Sequence, residues 1–215
     1  MRPRTLFARL GLILAAIATP LACSAQDGPL KYREGTHYVQ VRSPEVPTTQ
    51  DGKVQIAEVF WYGCSHCYRF DPTVEHWLED LPDNVEFVRI PTALGRPQNL
   101  MHSRAYYTAE VLGVLPQVHE DIFKAIHVQK KSLLTEAQIA ELFEDAGVDK
   151  EKFSQTFNSF GVDSRVKRAE ALVRQWGIPS VPTVVVNGTW QTNGRYAGSN
   201  KDALDVAEFL AAQAQ

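Results

Sequence analysis

Residues 54–62 read Val-Gln-Ile-Ala-Glu-Val-Phe-Trp-Tyr, dense in β-formers and apolar on both parities. Such a run is a central strand buried on both faces, the mark of a parallel sheet covered by helices. The next residues narrow the choice. Gly63-Cys64-Ser65-His66-Cys67 comes directly after the strand, and Phe70, Val74, Trp77, Leu78 and Leu81 then recur at helical spacing. Two cysteines three apart therefore sit where a strand hands over to the first turn of a helix. Pro72 falls inside that helix, where its ring removes the bond to the Tyr68 carbonyl and should kink it. Residues 84–90 form a second strand, stopped by Pro91.

Downstream the pattern changes. From about Gln98 to Gly161 strand signals vanish and helix punctuation takes over. Thr135 with Gln138 makes a capping box, and Gly147 closes that helix. Asp149 is expected to cap the next helix, ending at Gly161, and Ser164 to open a third that runs to Trp176 with Gly177 as its terminator. Thr183-Val-Val-Val, Asn187-Gly188 and Thr189-Trp-Gln-Thr make a hairpin, because Asn-Gly supplies the positive φ of a tight turn. Asn200 is expected to cap a last amphipathic helix through Ala203, Leu204, Ala207 and Leu210. Residues 26–53, rich in Pro, Gly, Thr and Ser, read as an extended arm.

The N-terminus reads as a targeting segment. Arg2, Arg4 and Arg9 precede the apolar run 10–19, and small residues follow Pro20 to Ala25, the order of a secretory signal peptide covering 1–25. The run is too short to span a bilayer. Cleavage after Ala25 gives a soluble exported product; the alternative reads Leu21-Ala22-Cys23 as a bacterial lipobox that anchors the chain through Cys23. Of 215 residues, 22 are Lys or Arg and 25 are Asp or Glu, a formal net charge of −3. Removing residues 1–25 takes three arginines and no acid, leaving 19 bases against 25 acids. That balance argues against nucleic acid and anionic membrane as partners. Hydrophobic residues at 44% and charged residues at 22% are ordinary globular values, which excludes disorder and coiled coil.

In an exported chain the Cys64/Cys67 spacing is that of a redox motif. A helix N-terminus offers unpaired N–H groups and about half a positive charge, which favour a thiolate at Cys64, while Cys67, one turn in, fits a resolving thiol. His66 between them can lower the Cys64 pKa further. A thiolate pKa near ~4 would give the reduced form roughly 4 kcal/mol at pH 7 and raise the potential by on the order of 90 mV. A zinc site would want four ligands, and a mature chain has no other cysteine. A c-type haem would need His where Tyr68 stands. An inert disulfide closes a tiny loop and stabilises little. No metal or other cofactor is expected. His37, His76, His102, His119 and His127 share no ligand spacing and read as surface or core residues; Arg96 and Lys130-Lys131 read as solvated faces.

The stretch Glu58-Val-Phe-Trp-Tyr-Gly-Cys-Ser-His-Cys-Tyr68, with Val181-Pro182-Thr183 before a strand and Tyr32-x-x-Gly35-x-x-Tyr38 near the start, resembles thiol:disulfide interchange proteins of the DsbA type over residues 31–213. The resemblance implies an α/β chain, a thioredoxin fold with an inserted all-helical domain: 26–97 and 164–215 thioredoxin-like, 98–163 the insert. It implies a monomer that oxidises newly exported proteins bearing free cysteines and is re-oxidised by a membrane quinone-linked protein of the DsbB type. It also implies that Val181-Pro182 is a cis-proline loop facing the cysteines, with Pro179 an ordinary loop proline. Glu58, buried in its strand, either handles the proton of Cys67 or is satisfied by a local partner. The family's commonest active-site pair is Pro-His; here Ser65 keeps an N–H that Pro lacks. A reductase or isomerase, and a peptide-binding chaperone module with an incidental disulfide, are the competing readings.

Overall fold

The computed structural model describes residues 31–46, 49 and 52–214. The proposed signal peptide and Cys23 lie outside the described residues. In chain order the elements are β1 (Val39–Gln40), β2 (Val54–Phe60), α1 (Ser65–Leu78), β3 (Val85–Pro91), a short 3-10 turn (Pro97–Asn99), α2 (Leu100–Leu112), α3 (Leu115–His127), α4 (Glu136–Asp145), α5 (Lys150–Phe157), α6 (Phe160–Trp176), β4 (Thr183–Val186), β5 (Trp190–Thr192), α7 (Gly194–Ala197) and α8 (Asn200–Gln213). No helix among the described residues is long and apolar enough to cross a membrane.

The sheet order is β1-β5-β4-β2-β3. β2 is interior, as its two-sided apolarity requires, but the sheet is mixed: β2 pairs parallel with β3 and antiparallel with β4. The expected parallel sheet is half right, because a strand buried on both faces reads alike whichever way its neighbours run. Alternation along β2 sorts its side chains. Ile56 joins a core with Phe70, Val74, Leu204 and Leu210 beneath α1 and α8, while Ala57 and Val59 face Val173 and Trp176 of α6. The helices between β3 and α6 build a third core, in which Phe123, Phe143, Phe153 and Phe157 are buried, and it reaches back to Phe60, Tyr62 and Cys67.

Hairpin β4–β5 turns through Asn187 at φ 48° and Gly188 at φ 60°, both left-handed as expected. The arm is not wholly without structure, since β1 pairs with β5. Pro91 is the last residue of β3, an edge strand, rather than a residue beyond it. Two helix starts differ from expectation. α6 begins after Ser159, whose side chain accepts from the Val162 N–H, and not at Ser164. Gly161 lies in its first turn and is not among the left-handed glycines, so it cannot end α5, which stops at Phe157. Likewise Ser199, accepting from the Asp202 N–H, caps α8, and Asn200 is its first helical residue.

Candidate active site

The chain leaves β2 through Trp61-Tyr62-Gly63 and sets Cys64 at the N-cap of α1, with φ −87° and ψ 117°. Gly63 is required by packing, since a Cβ there would run into the Trp61 indole. That indole is held in place by its Nε1–H, which donates to His102 Nδ1 at 2.8 Å. Both cysteines are free thiols. Cys67 is fully buried, 0% exposed, among Phe60, Tyr62 and the helices between β3 and α6. Cys64 is half-buried, and its Sγ lies 3.5 Å from the Val181 carbonyl oxygen. The Val181–Pro182 bond is cis.

The two sulfurs differ sharply. Cys64 is lowered from 9.0 to about 6, first because the Cys67 side chain donates a hydrogen bond to it. The N–H groups of Cys67 and His66 help without closing a full capping bond, the His66 charge adds a smaller contribution, and partial burial opposes. Cys67 is pushed far above the ordinary thiol range by burial, by its bond to Cys64 and by the Glu58 charge. A pKa of about 6 is a milder shift than a value near ~4 would be. At pH 7 a pKa of about 6 sets an upper bound of about 1.4 kcal/mol, or ~30 mV, on the stabilisation of the reduced form, and solvent screening of the half-buried sulfur brings it below that. His66 is exposed and accepts at Nδ1 from Arg69 Nη2 at 3.2 Å. Ser65, also exposed, is the first residue of α1.

Glu58 is 2% exposed on the α1 side of β2. Burial pushes it up to about 7, against the pull of Arg89. Parallel register sets Arg89 of β3 opposite Glu58, with Nε 3.3 Å from its carboxylate. Arg89 Nη2 also donates to Asp71 at 3.2 Å and to Glu75 at 2.7 Å. Beyond it, His119 Nε2 meets Asp71 at 3.0 Å and its Nδ1 meets the Tyr62 hydroxyl at 2.6 Å. Asp71, Glu75 and His119 come close enough to hold a cation, but the Arg89 guanidinium already bridges the two carboxylates.

Sequence reasoning misses Arg89, Asp71, His119 and Tyr62 as members of this cluster. Arg89 carries a signal, a charge within the apolar run Val-Glu-Phe-Val-Arg-Ile, but only strand register identifies its partner. His102 and His119 are buried, as a core reading allows. Arg96 is exposed as expected, yet it lines a cavity with Trp61, Cys64, Ser65 and Val181.

A DSBA-like thioredoxin domain matches residues 55–206. The chain belongs to that family. The thiol:disulfide interchange protein DsbA of Pseudomonas aeruginosa is 40% identical over 190 residues, covering 88% of this chain and 87% of the relative. The DsbA of Burkholderia cepacia is 39% identical over 191 residues, covering 89% and 90%. The crystal structure of Pseudomonas aeruginosa DsbA superposes with a TM-score of 0.79 at 40% identity, over 85% of this chain and 94% of that one. The DsbA of Xylella fastidiosa reaches 0.76 at 28% identity, over 83% and 95%. The architecture is therefore the DsbA-like thioredoxin fold, and the protein is a thiol:disulfide oxidoreductase of the DSBA family.

Proposed function

We propose that this oxidoreductase works as a periplasmic oxidase, donating a Cys64–Cys67 disulfide to newly exported proteins. The observation that carries this is the asymmetry of the pair: an accessible sulfur stabilised as thiolate beside a buried one held as thiol. A client thiolate attacks Cys64 Sγ, forms a client–Cys64 disulfide and expels the Cys67 sulfur with the bond's electron pair. The client's second thiolate then attacks its own bridged sulfur and frees the Cys64 thiolate. Two electrons pass from client to protein. A thiolate that leaves easily makes its disulfide oxidising, which is the direction a donor needs.

Glu58 supplies the proton. With a pKa of about 7 it holds one near half the time at neutral pH, and its charge already acts on Cys67. It gives a proton to the departing Cys67 and takes one back on re-oxidation. Val181, whose carbonyl faces Cys64, pairs with the backbone of an extended client, and Pro182 shapes that loop. His66 adds to thiolate stability, and Ser65 occupies the first turn. The pair is restored by a membrane quinone-linked partner of the DsbB type. The chain acts as a monomer, exported by residues 1–25 and released near Ala25, with residues 98–163 as the inserted domain between two thioredoxin-like segments. The test is the redox state of the pair in protein trapped with acid directly from cells. Mostly disulfide is expected; mostly dithiol would make the protein a reductase or isomerase. Client binding independent of redox state would make it a chaperone module.

A further inference from the structure

Two cavities of about 480 Å³ each flank the Cys64–Val181 contact. One, on the Trp61 side, is lined by Cys64, Ser65, Asn99, Val181 and Arg96. The other, on the far side of the loop, is lined by His66, Val181, Pro182, Asn193, Asn200 and Arg195. Neither lining contains an aspartate or glutamate. Arg96 and Arg195 are exposed, and among the described residues neither has an acidic partner within ion-pair reach. Arg69 of α1 holds its guanidinium against His66, which lines the second cavity. The reacting sulfur of a chain with a formal charge of −3 thus opens between unpaired cations.

We infer that Arg96 and Arg195 select clients carrying acidic residues on both sides of the reacting cysteine. This rests on the reading of Cys64 as the site of exchange with polypeptide. A client extended past Val181, its sulfur at Cys64, advances about 3.3 Å per residue, so its flanking side chains two or three positions away enter the two cavities from opposite directions. Each cavity offers a carboxylate one free guanidinium, able to grip it with two parallel N–H bonds. Exposed charges of this kind act mainly on encounter rate and lose their influence in salt.

The test uses the oxidised full chain and two-cysteine peptides that carry Glu, Gln or Lys two residues before or two residues after the attacking cysteine. The second-order rate of pair reduction is followed by stopped flow. At low salt the peptide with Glu on both sides should react about tenfold faster than its Lys counterpart, and the gap should close at high salt. Arg96→Gln should remove the acid preference on one side of the cysteine and Arg195→Gln on the other. Equal rates for Glu and Lys peptides, a gap that survives in the double variant, or both single variants acting on the same side would overturn the inference. If no peptide is oxidised, the exchange reading of Cys64 falls instead.

Discussion

Cys64 takes its acidity first from the hydrogen bond that Cys67 donates and only last from the charge of His66. His66→Ala should therefore raise the thiolate midpoint above about 6 while leaving it well short of the ordinary 9.0, read from thiolate ultraviolet absorbance against pH. A midpoint that climbs the whole way would mean the charge, not the neighbouring thiol, sets the chemistry. Glu58→Gln keeps a polar group opposite Arg89 but cannot exchange a proton. Departure of Cys67 as the client–Cys64 disulfide forms should slow by about 10²-fold, and its pH profile should lose the inflection near 7. Cys64, Cys67 and Glu58 are all visible in the sequence, because a CxxC and a carboxylate in an apolar strand stand out against their surroundings. His119 and Asp71 are not. An aspartate on a helix facing inward, or a histidine on an amphipathic helix, looks like any polar residue until packing shows what it touches.

At the scale of elements, the positions of strands and most helix ends are legible because each rests on a local rule. Gly147 and Gly177 adopt left-handed φ of 82° and 70° where the pattern places their helices' ends. The start of α6 is not legible, since Ser159 and Ser164 are both fair caps and the choice turns on which hydroxyl meets a free N–H. Ser159→Ala should lower stability by about 1 kcal/mol in denaturant unfolding, whereas Ser164→Ala should change it by less than about 0.5 kcal/mol. Equal losses would restore the later start. The capping box at Thr135 has a related shift: Gln138 accepts from the Leu134 N–H, one residue before the cap. Strand direction is the larger omission. Parallel pairing of β2 with β3 sets Glu58 opposite Arg89, and a slip of one residue would turn the guanidinium toward the opposite face of the sheet.

For the whole molecule, both perturbed acids bear on stability, with opposite signs. The Cys64 thiolate contributes fully to the reduced protein above 9.0 and is lost as pH falls through about 6. Glu58, raised from 4.5 to about 7, binds more protons folded than unfolded, so its contribution declines as pH climbs across that window. It is present in both redox forms, and Cys67, raised far above 9.0, stays protonated across this range, so Cys64 governs their difference between pH 6 and 9. The Tm of the reduced protein relative to the oxidised should therefore be flat below pH 6 and rise between 6 and 9, as measured by paired calorimetric scans. A difference that falls over that range would contradict the assignment of Cys64. Chain order also governs how the site can be assembled. β4 pairs with β2, yet about 120 residues separate them along the chain. At a synthesis rate of about 5–20 residues per second, Cys64 precedes the Val181 carbonyl by roughly 6–24 s. The helices that cover Cys67 lie in that interval of the chain, so when it emerges N-terminus first the cover of the inner thiol is available before the loop that meets the outer sulfur.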